Sequence, residues 1–144
     1  MIQQIAYSFF ATVGFAYIFN APKKSIFLTG LIGSAGWMVY AYFHHTYTAN
    51  ILGSFAGALV VAILSELAAR QYKMPATVFL TSGIIPLVPG GGMYFTMLEL
   101  IRRDFDSAMS KGTETIFIAG SIAIAIALGS SLFRVKRRKE SQGN

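Results

Sequence analysis

The sequence predicts an all-α membrane protein, a bundle of five transmembrane helices that forms a single domain over residues 1–144. The first observation is composition: 54% of the residues are hydrophobic and only 12% are charged, about half the charged share of a typical soluble domain. The second is spacing, because the charged residues fall between long apolar runs. The third is a cluster of prolines and glycines inside the fourth apolar run, which interrupts that helix.

Composition also excludes several classes of function. The net charge of +6 comes mainly from a tail of basic residues, which is typical of the cytoplasmic flank of a membrane helix. A nucleic-acid-binding domain instead needs basic residues gathered on one folded surface, so we expect a lipid bilayer and no nucleic acid as partner. The chain has no cysteine, which excludes a disulfide framework and a thiolate site.

The first three spans are bounded by ordinary helix signals. The first covers residues 2–19 and ends before Pro22, since proline stops a helix. Ser25 is a suitable N-cap for the second span, residues 26–43. The third span covers residues 51–69.

Small residues in the third span predict a close helix contact. Gly53 and Gly57 are four residues apart, a spacing that lets a neighbouring helix approach the backbone closely. Five spans enclose little on their own, so these small-residue faces also predict a partner chain or self-association.

The fourth span, residues 76–101, is broken at Pro86-Pro89-Gly90-Gly91-Gly92. Each proline lacks an N–H and leaves the carbonyl four residues earlier without a partner. Residues 102–112 then predict a polar loop, with Thr113 as the N-cap of the fifth span, residues 113–133. Residues 134–144 form the basic cytoplasmic tail.

The distribution of Lys and Arg predicts an N-out, C-in orientation. With five spans and a cytoplasmic tail, nine basic residues lie on the inner side and three on the outer side. If residues 76–101 were a re-entrant hairpin, the basic tail would lie outside. That alternative stays open, because the positive-inside rule is a bias.

The break predicts a substrate-binding site. An unsatisfied backbone group in hydrocarbon costs several kcal/mol, so irregular backbone at this depth lines a cavity or is packed in protein. The second half-helix would direct its N–H groups at a carboxylate, and free carbonyls near Ile85 would suit a cation. The substrate-binding residues expected are Ser82, Pro86, Pro89, Gly90, Gly91, Gly92 and Tyr94. The alternative is a kink repaired by neighbouring helices.

Other ionisable residues carry weaker signals. Glu66 lies four residues before Arg70, which predicts either a helix ion pair or an intramembrane proton carrier. We expect Glu99, near the end of the fourth span, to be an interfacial anchor at the membrane surface. We expect His44 and His45 to lie in a surface loop and not to bind a metal, since no third ligand is near them in the sequence. No nucleophile–base pair can be assembled, so we expect no enzyme activity, no metal and no cofactor.

The proline–glycine motif points to a family. Residues 85–94 (Ile-Pro-Leu-Val-Pro-Gly-Gly-Gly-Met-Tyr), in a chain of this length with a basic tail, resemble the threonine/serine exporter family. More narrowly, the chain resembles the small five-span subunit of the split form, which is similar to a succinate-export membrane component. The resemblance implies a multi-pass protein of the cell (inner or plasma) membrane that works with a larger subunit of the same family. It also implies proton-coupled export of a small solute, either an amino acid like threonine or serine or a dicarboxylate such as succinate.

A function of another class remains as the alternative. An accessory membrane subunit that only stabilises another membrane protein would also contain small-residue faces and a kinked helix. In that case protein would cover the break, whereas in a transporter the break would face a water-accessible cavity.

Overall fold

The structure, a computed structural model, describes residues 2–47 and 49–142, and their side chains for residues 3–46 and 49–133. These residues form an all-α fold, as predicted. The helices are α1 (Ile2–Ile18), α2 (Lys23–Tyr47), α3 (Asn50–Tyr72), α4 (Ala76–Gly83), α5 (Gly90–Ile101) and α6 (Phe105–Gln142), with a 3₁₀ turn at Ile85–Leu87. The side chains of the predicted basic tail, residues 134–144, lie outside the described residues.

Three helices of the described chain are long and apolar enough to cross a membrane: α2, α3 and α6. The pair α4 and α5 counts as a fourth if it is one span, because its two halves meet at 47° and are apolar together. α1 has 17 residues, slightly fewer than the roughly 20 that span a bilayer. The structure therefore supports three or four spans, and the five-span count and the orientation stay predictions.

Two predicted helix starts are wrong. α6 begins at Phe105, so residues 105–112 are helical and Thr113 lies inside the helix. The cap is Asp104, whose Oδ1 accepts a hydrogen bond from the backbone N–H of Ser107 at 3.1 Å. α2 begins at Lys23, and the Ser25 hydroxyl donates to the carbonyl of Pro22 at 2.8 Å. Ser25 therefore lies inside the first turn of α2 and stabilises it through this hydrogen bond, rather than capping the helix.

α3 is the central helix of the bundle and packs against α2, α4 and α6. Its contact with α2 is very close: a Cβ atom placed on Gly57 would lie 2.7 Å from the carbonyl oxygen of Gly36. A Cβ atom on Gly53 would lie 3.1 Å from the carbonyl oxygen of Tyr40. The predicted role of the two glycines is confirmed, with α2 as the neighbouring helix.

Buried hydroxyl groups are bonded mainly within their own helices. Thr12, Thr29 and Ser34 are buried, and each donates to the carbonyl four residues earlier at 2.8 Å. The bond between helices from Ser8 to the Gly33 carbonyl is longer, at 3.4 Å. Contacts between the helices thus depend mainly on shape and close packing.

α5 packs against α6 and, among the described residues, against no other helix. Small residues bring the two helices together. A Cβ atom on Gly92 would collide with the Thr115 hydroxyl, and one on Gly112 would lie 3.1 Å from Cγ2 of Thr96. α5 has no buried residue, so its other faces are open. The α5–α6 pair therefore forms one wall of the space beside the break.

Candidate functional site

The predicted break lies between Gly83, where α4 ends, and Gly90, where α5 begins. The 3₁₀ turn between them restores some of the backbone hydrogen bonds. The carbonyl of Ile84 accepts from Leu87 at 2.9 Å, and that of Ile85 accepts from Val88 at 3.2 Å. The expectation of a free carbonyl at Ile85 is therefore wrong, because the tighter turn supplies the partner that Pro89 cannot.

The N-terminus of α5 keeps unpaired donors. The N–H of Gly90 donates to the Val88 carbonyl at 2.7 Å, and the N–H of Met93 donates to the Pro89 carbonyl at 3.1 Å. The amides of Gly91 and Gly92 have no backbone acceptor in the part of the chain that the structure describes. Unpaired N–H groups and the positive end of the helix dipole both favour a bound anion.

A cavity of about 490 Å³ lies against this helix end. It is within the range of small-molecule sites, about 300–1,000 Å³. The break forms one side of the cavity, and α2, α3 and α6 form the others.

The cavity brings together four of the seven predicted site residues: Pro86, Pro89, Gly91 and Gly92. Gly90 is exposed and Tyr94 is 63% exposed, and neither lines the cavity. Ser82 is 1% exposed and also lies away from the cavity, and its hydroxyl has no partner among the described residues. The cavity-facing members of the predicted set are therefore the two prolines and two of the three glycines of the break, and the hydroxyl-bearing members Ser82 and Tyr94 lie elsewhere.

Several residues that line the cavity were not predicted. Trp37 on α2 is one of them, and its buried indole N–H has no acceptor among the described residues. Asn50 and Ser54 line the cavity from α3, and Lys111 and Glu114 line it from α6. The signal for the last two was their spacing of three residues, which places them on one face of a helix. It was missed because residues 102–112 were assigned to a loop.

Lys111 is held in an ion pair. Its Nζ lies 3.0 Å from Oε1 of Glu99, and it also lies 5.3 Å from the centre of the Phe95 ring. Glu99 has a second, longer contact of 3.8 Å with Arg102. Glu99 thus connects the end of α5 to α6.

Glu114 is held by a neutral side chain. Oε1 of Glu114 accepts a hydrogen bond from the amide of Asn50 at 2.7 Å. The amide oxygen of Asn50 lies 2.6 Å from Nδ1 of His44, which is in the last turn of α2 and not in a loop as predicted. These contacts order the Glu114 carboxylate at the wall of the cavity.

The predicted ion pair between Glu66 and Arg70 does not form. Arg70 instead donates to the carbonyl of Phe133 at 3.0 Å, with its guanidinium 4.9 Å from the ring centre. Glu66 is partly buried, makes no ion pair among the described side chains and does not line the cavity. A role for Glu66 as a proton carrier stays a prediction. No group of three or more His, Asp or Glu side chains in the described chain is placed to hold a metal ion.

Comparison with known proteins agrees with the motif. The family model described as "Threonine/Serine exporter, ThrE" matches residues 4–132. An uncharacterized protein from Haemophilus influenzae is 23% identical over 141 residues, an alignment that covers 92% of this chain and 48% of the relative. The chain thus spans about half the length of that curated relative. No solved structure matches the chain. The family model includes the proline–glycine break and most of the chain, and the chain therefore belongs to the threonine/serine exporter family of membrane transporters.

Proposed function

We propose that the chain is a subunit of a secondary transporter that exports a small carboxylate-bearing solute across the cell membrane, driven by the proton gradient. The solute would be an amino acid like threonine or serine, or a dicarboxylate such as succinate. Membership of the exporter family and the apolar helices support a membrane transporter. The observation that carries the proposal is the pair of unpaired amides at Gly91 and Gly92 on the wall of a 490 Å³ cavity.

The break gives the carboxylate a place to bind. An interrupted helix in a transporter exposes backbone groups where the solute crosses the membrane, and a half-helix N-terminus suits an anionic group. The solute carboxylate would accept hydrogen bonds from Gly91 and Gly92, and the indole N–H of Trp37 would be a third donor. Pro86 and Pro89 keep the helix from closing over these amides.

The transporter would be completed by a larger subunit. The chain covers about half of its relative's length, so the proposed transporter includes a second half of similar size. With the N-out, C-in orientation, a larger half that starts inside and crosses five times would be inverted relative to this one, a common plan in secondary transporters. The open faces of α5 leave room for such a partner.

An accessory subunit without transport activity is the alternative. It does not require a cavity with donors and charged side chains at the break, and the cavity therefore favours the transporter. The two functions differ in one measurable property, because only the transporter needs the space beside Gly91 to stay open.

Filling that space tests the proposal. Gly91 lines the cavity, and a Cβ added to it would meet no other part of the described chain within 4 Å, so Gly91→Leu adds bulk beside the unpaired amides without a clash at Cβ. We expect this variant to lose export of labelled serine or succinate while its amount in the membrane is unchanged. Gly120→Leu is the matched control, because Gly120 is equally free of contacts and lies away from the cavity. Normal export by Gly91→Leu would remove the proposed site.

A further inference from the structure

Lys111 and Glu114 lie one turn apart on α6 and both line the cavity, but their charges are balanced differently. The Lys111 ammonium is paired with the Glu99 carboxylate at 3.0 Å. Glu114 makes no ion pair among the described side chains, and its hydrogen-bond partner is the neutral amide of Asn50. The cavity wall therefore has one exposed carboxylate, that of Glu114, without an ion-pair partner among the described side chains.

The cavity also has donors that lack an acceptor among the described residues, beside the hydroxyl groups of Tyr40, Ser54 and Thr115, which can both donate and accept. The amides of Gly91 and Gly92 and the indole N–H of Trp37 can bind a carboxylate, but they cannot bind a cation. The carbonyls of Ile84 and Ile85, which the sequence suggested for a cation, are used inside the 3₁₀ turn. Glu114 is thus the group at this cavity best suited to a cationic part of the solute.

We propose that Glu114 is the specificity-determining residue of the cavity, and that its carboxylate binds the ammonium group of the exported solute. The inference rests on the proposed function and selects between its two solute classes. An α-amino acid would place its carboxylate at the donors and its ammonium at Glu114. A dicarboxylate would bring a second negative charge towards Glu114, and repulsion between like charges would exclude it.

Asn50 is a positioning residue in this arrangement. It donates to Oε1 of Glu114 at 2.7 Å, and its own amide oxygen is held by His44 at 2.6 Å. Both contacts fix the orientation of the carboxylate and leave Oε2 of Glu114 for the ammonium. Because the Asn50 amide is neutral, it orients the Glu114 carboxylate without forming an ion pair with it. A lysine or arginine at position 50 would pair with that carboxylate and offset its charge.

The test compares three solutes in cells that express the chain with its native partner proteins: L-serine, L-glycerate and succinate, each labelled. Glycerate carries a hydroxyl where serine carries the ammonium, so the pair isolates that group. We expect the wild-type transporter to export serine at least about tenfold more efficiently than glycerate or succinate, the ratio that one charge-assisted hydrogen bond supports.

Glu114→Gln keeps the shape of the side chain and the acceptor for Asn50 but removes the charge. We expect it to lower the serine-to-glycerate ratio about tenfold, mainly through a higher apparent KM for serine, and Glu114→Asp to restore part of the ratio. Asp106→Asn is the matched control, because Asp106 is an exposed acid on the same helix that does not line the cavity. The ratio of two solutes does not depend on the amount of protein in the membrane.

The outcomes separate the inference from the proposed function. If Glu114→Gln and Asp106→Asn give the same ratio as the wild type, or if the wild type exports succinate and not serine, the role of Glu114 is refuted and transport stands. If Glu114→Gln lowers export of all three solutes equally, its role in specificity is also refuted. If the wild type exports none of the three, the proposed function is refuted together with this inference.

Discussion

The ammonium of Lys111 lies 3.0 Å from the carboxylate of Glu99 and joins α6 to the far end of α5. α5 has no other helix to pack against among the described residues, so its position depends on α6, through this ion pair and the close contacts of Gly92 with Thr115 and of Gly112 with Thr96. The Glu99 side chain is only 13% exposed, which makes its carboxylate costly to leave unpaired.

We therefore expect Lys111→Met to destabilise the protein by about 1–2 kcal/mol, between the values for exposed and fully buried pairs. The double variant with Glu99→Gln should recover part of that loss, because the uncompensated carboxylate is then gone. Thermal unfolding in detergent gives the stability changes of Lys111→Met, Glu99→Gln and the double variant, which together form a double-mutant cycle. Simple additivity of the two single changes would show that the pair is not coupled.

The crossing of α5 and α6 depends on the missing side chain at Gly92. We expect Gly92→Ala to destabilise the protein by about 1–3 kcal/mol, since the new methyl group would collide with the Thr115 hydroxyl. Adding Thr115→Ala should relieve the collision and restore much of the stability. Gly91→Ala is the control and should have little effect, because nothing lies within 4 Å of its added Cβ. A failed rescue in the double variant would contradict this packing.

The contact between α2 and α3 should be even less tolerant. A Cβ atom on Gly57 would lie 2.7 Å from the Gly36 carbonyl oxygen, and a backbone atom cannot move aside as a side chain can. We expect Gly57→Ala to lower the melting temperature more than Gly92→Ala does. Gly14→Ala, where an added Cβ meets nothing within 4 Å, is the control. Equal melting temperatures for Gly57→Ala and Gly14→Ala would contradict the close approach.

The N-cap of α6 should make stability depend on pH. Hydrogen bonds from the backbone N–H of Ser107 and then from its hydroxyl lower the pKa of Asp104 below the ordinary value. A lowered pKa means that the ionised cap stabilises the folded state above the unfolded-state pKa, about 3.9, and that this contribution is lost as the pH falls through the folded value. The melting-temperature difference between wild type and Asp104→Asn should therefore shrink below about pH 4. A constant difference from pH 3 to pH 7 would argue against the cap.

Water should reach the cavity if the chain is a transporter. Because the chain contains no cysteine, a single introduced cysteine is the only thiol. We expect Gly91→Cys to react with a membrane-impermeant maleimide and to be protected by added serine. Gly120→Cys, away from the cavity, should react at least about tenfold more slowly, since a thiol in lipid is shielded from a water-soluble reagent. Equal, slow reaction at both positions would support the accessory subunit.

The sequence predicted the all-α fold, and the helix interruption between Gly83 and Gly90 lies at the predicted prolines and glycines, because these residues act locally. That α4 and α5 form one broken span stays a prediction. The first helix also ends before Pro22 as expected, and Asn20, which follows it, takes a left-handed conformation with φ of 53°. The predicted start of α6 was wrong because Asp104 and Thr113 are both acceptable N-caps. Packing of residues 105–112 against α5 favours the earlier start. Capping preferences depend on neighbouring residues in the sequence and cannot predict a contact between two helices.

The candidate site was predictable only in part for a similar reason. The later half of the break could be identified from backbone chemistry alone, since unpaired amides follow from the chain itself. Glu114, Asn50 and His44 meet because the end of α2 and the start of α3 lie beside the body of α6, and their hydrogen bonds span up to 64 positions in the sequence. The same is true of Arg70, which binds the carbonyl of Phe133 rather than the nearer Glu66.

The hydroxyls of Thr12, Thr29 and Ser34 bond along their own helices, and this has a consequence for motion. A helix that satisfies its polar groups internally can slide or tilt against its neighbour without breaking a hydrogen bond. Dispersion contacts change in such a step and new ones replace the old, and between α1 and α2 the long bond from Ser8 to the Gly33 carbonyl, at 3.4 Å, changes with them. Small sliding or tilting movements of α1 against α2 therefore cost the bundle little in hydrogen bonding.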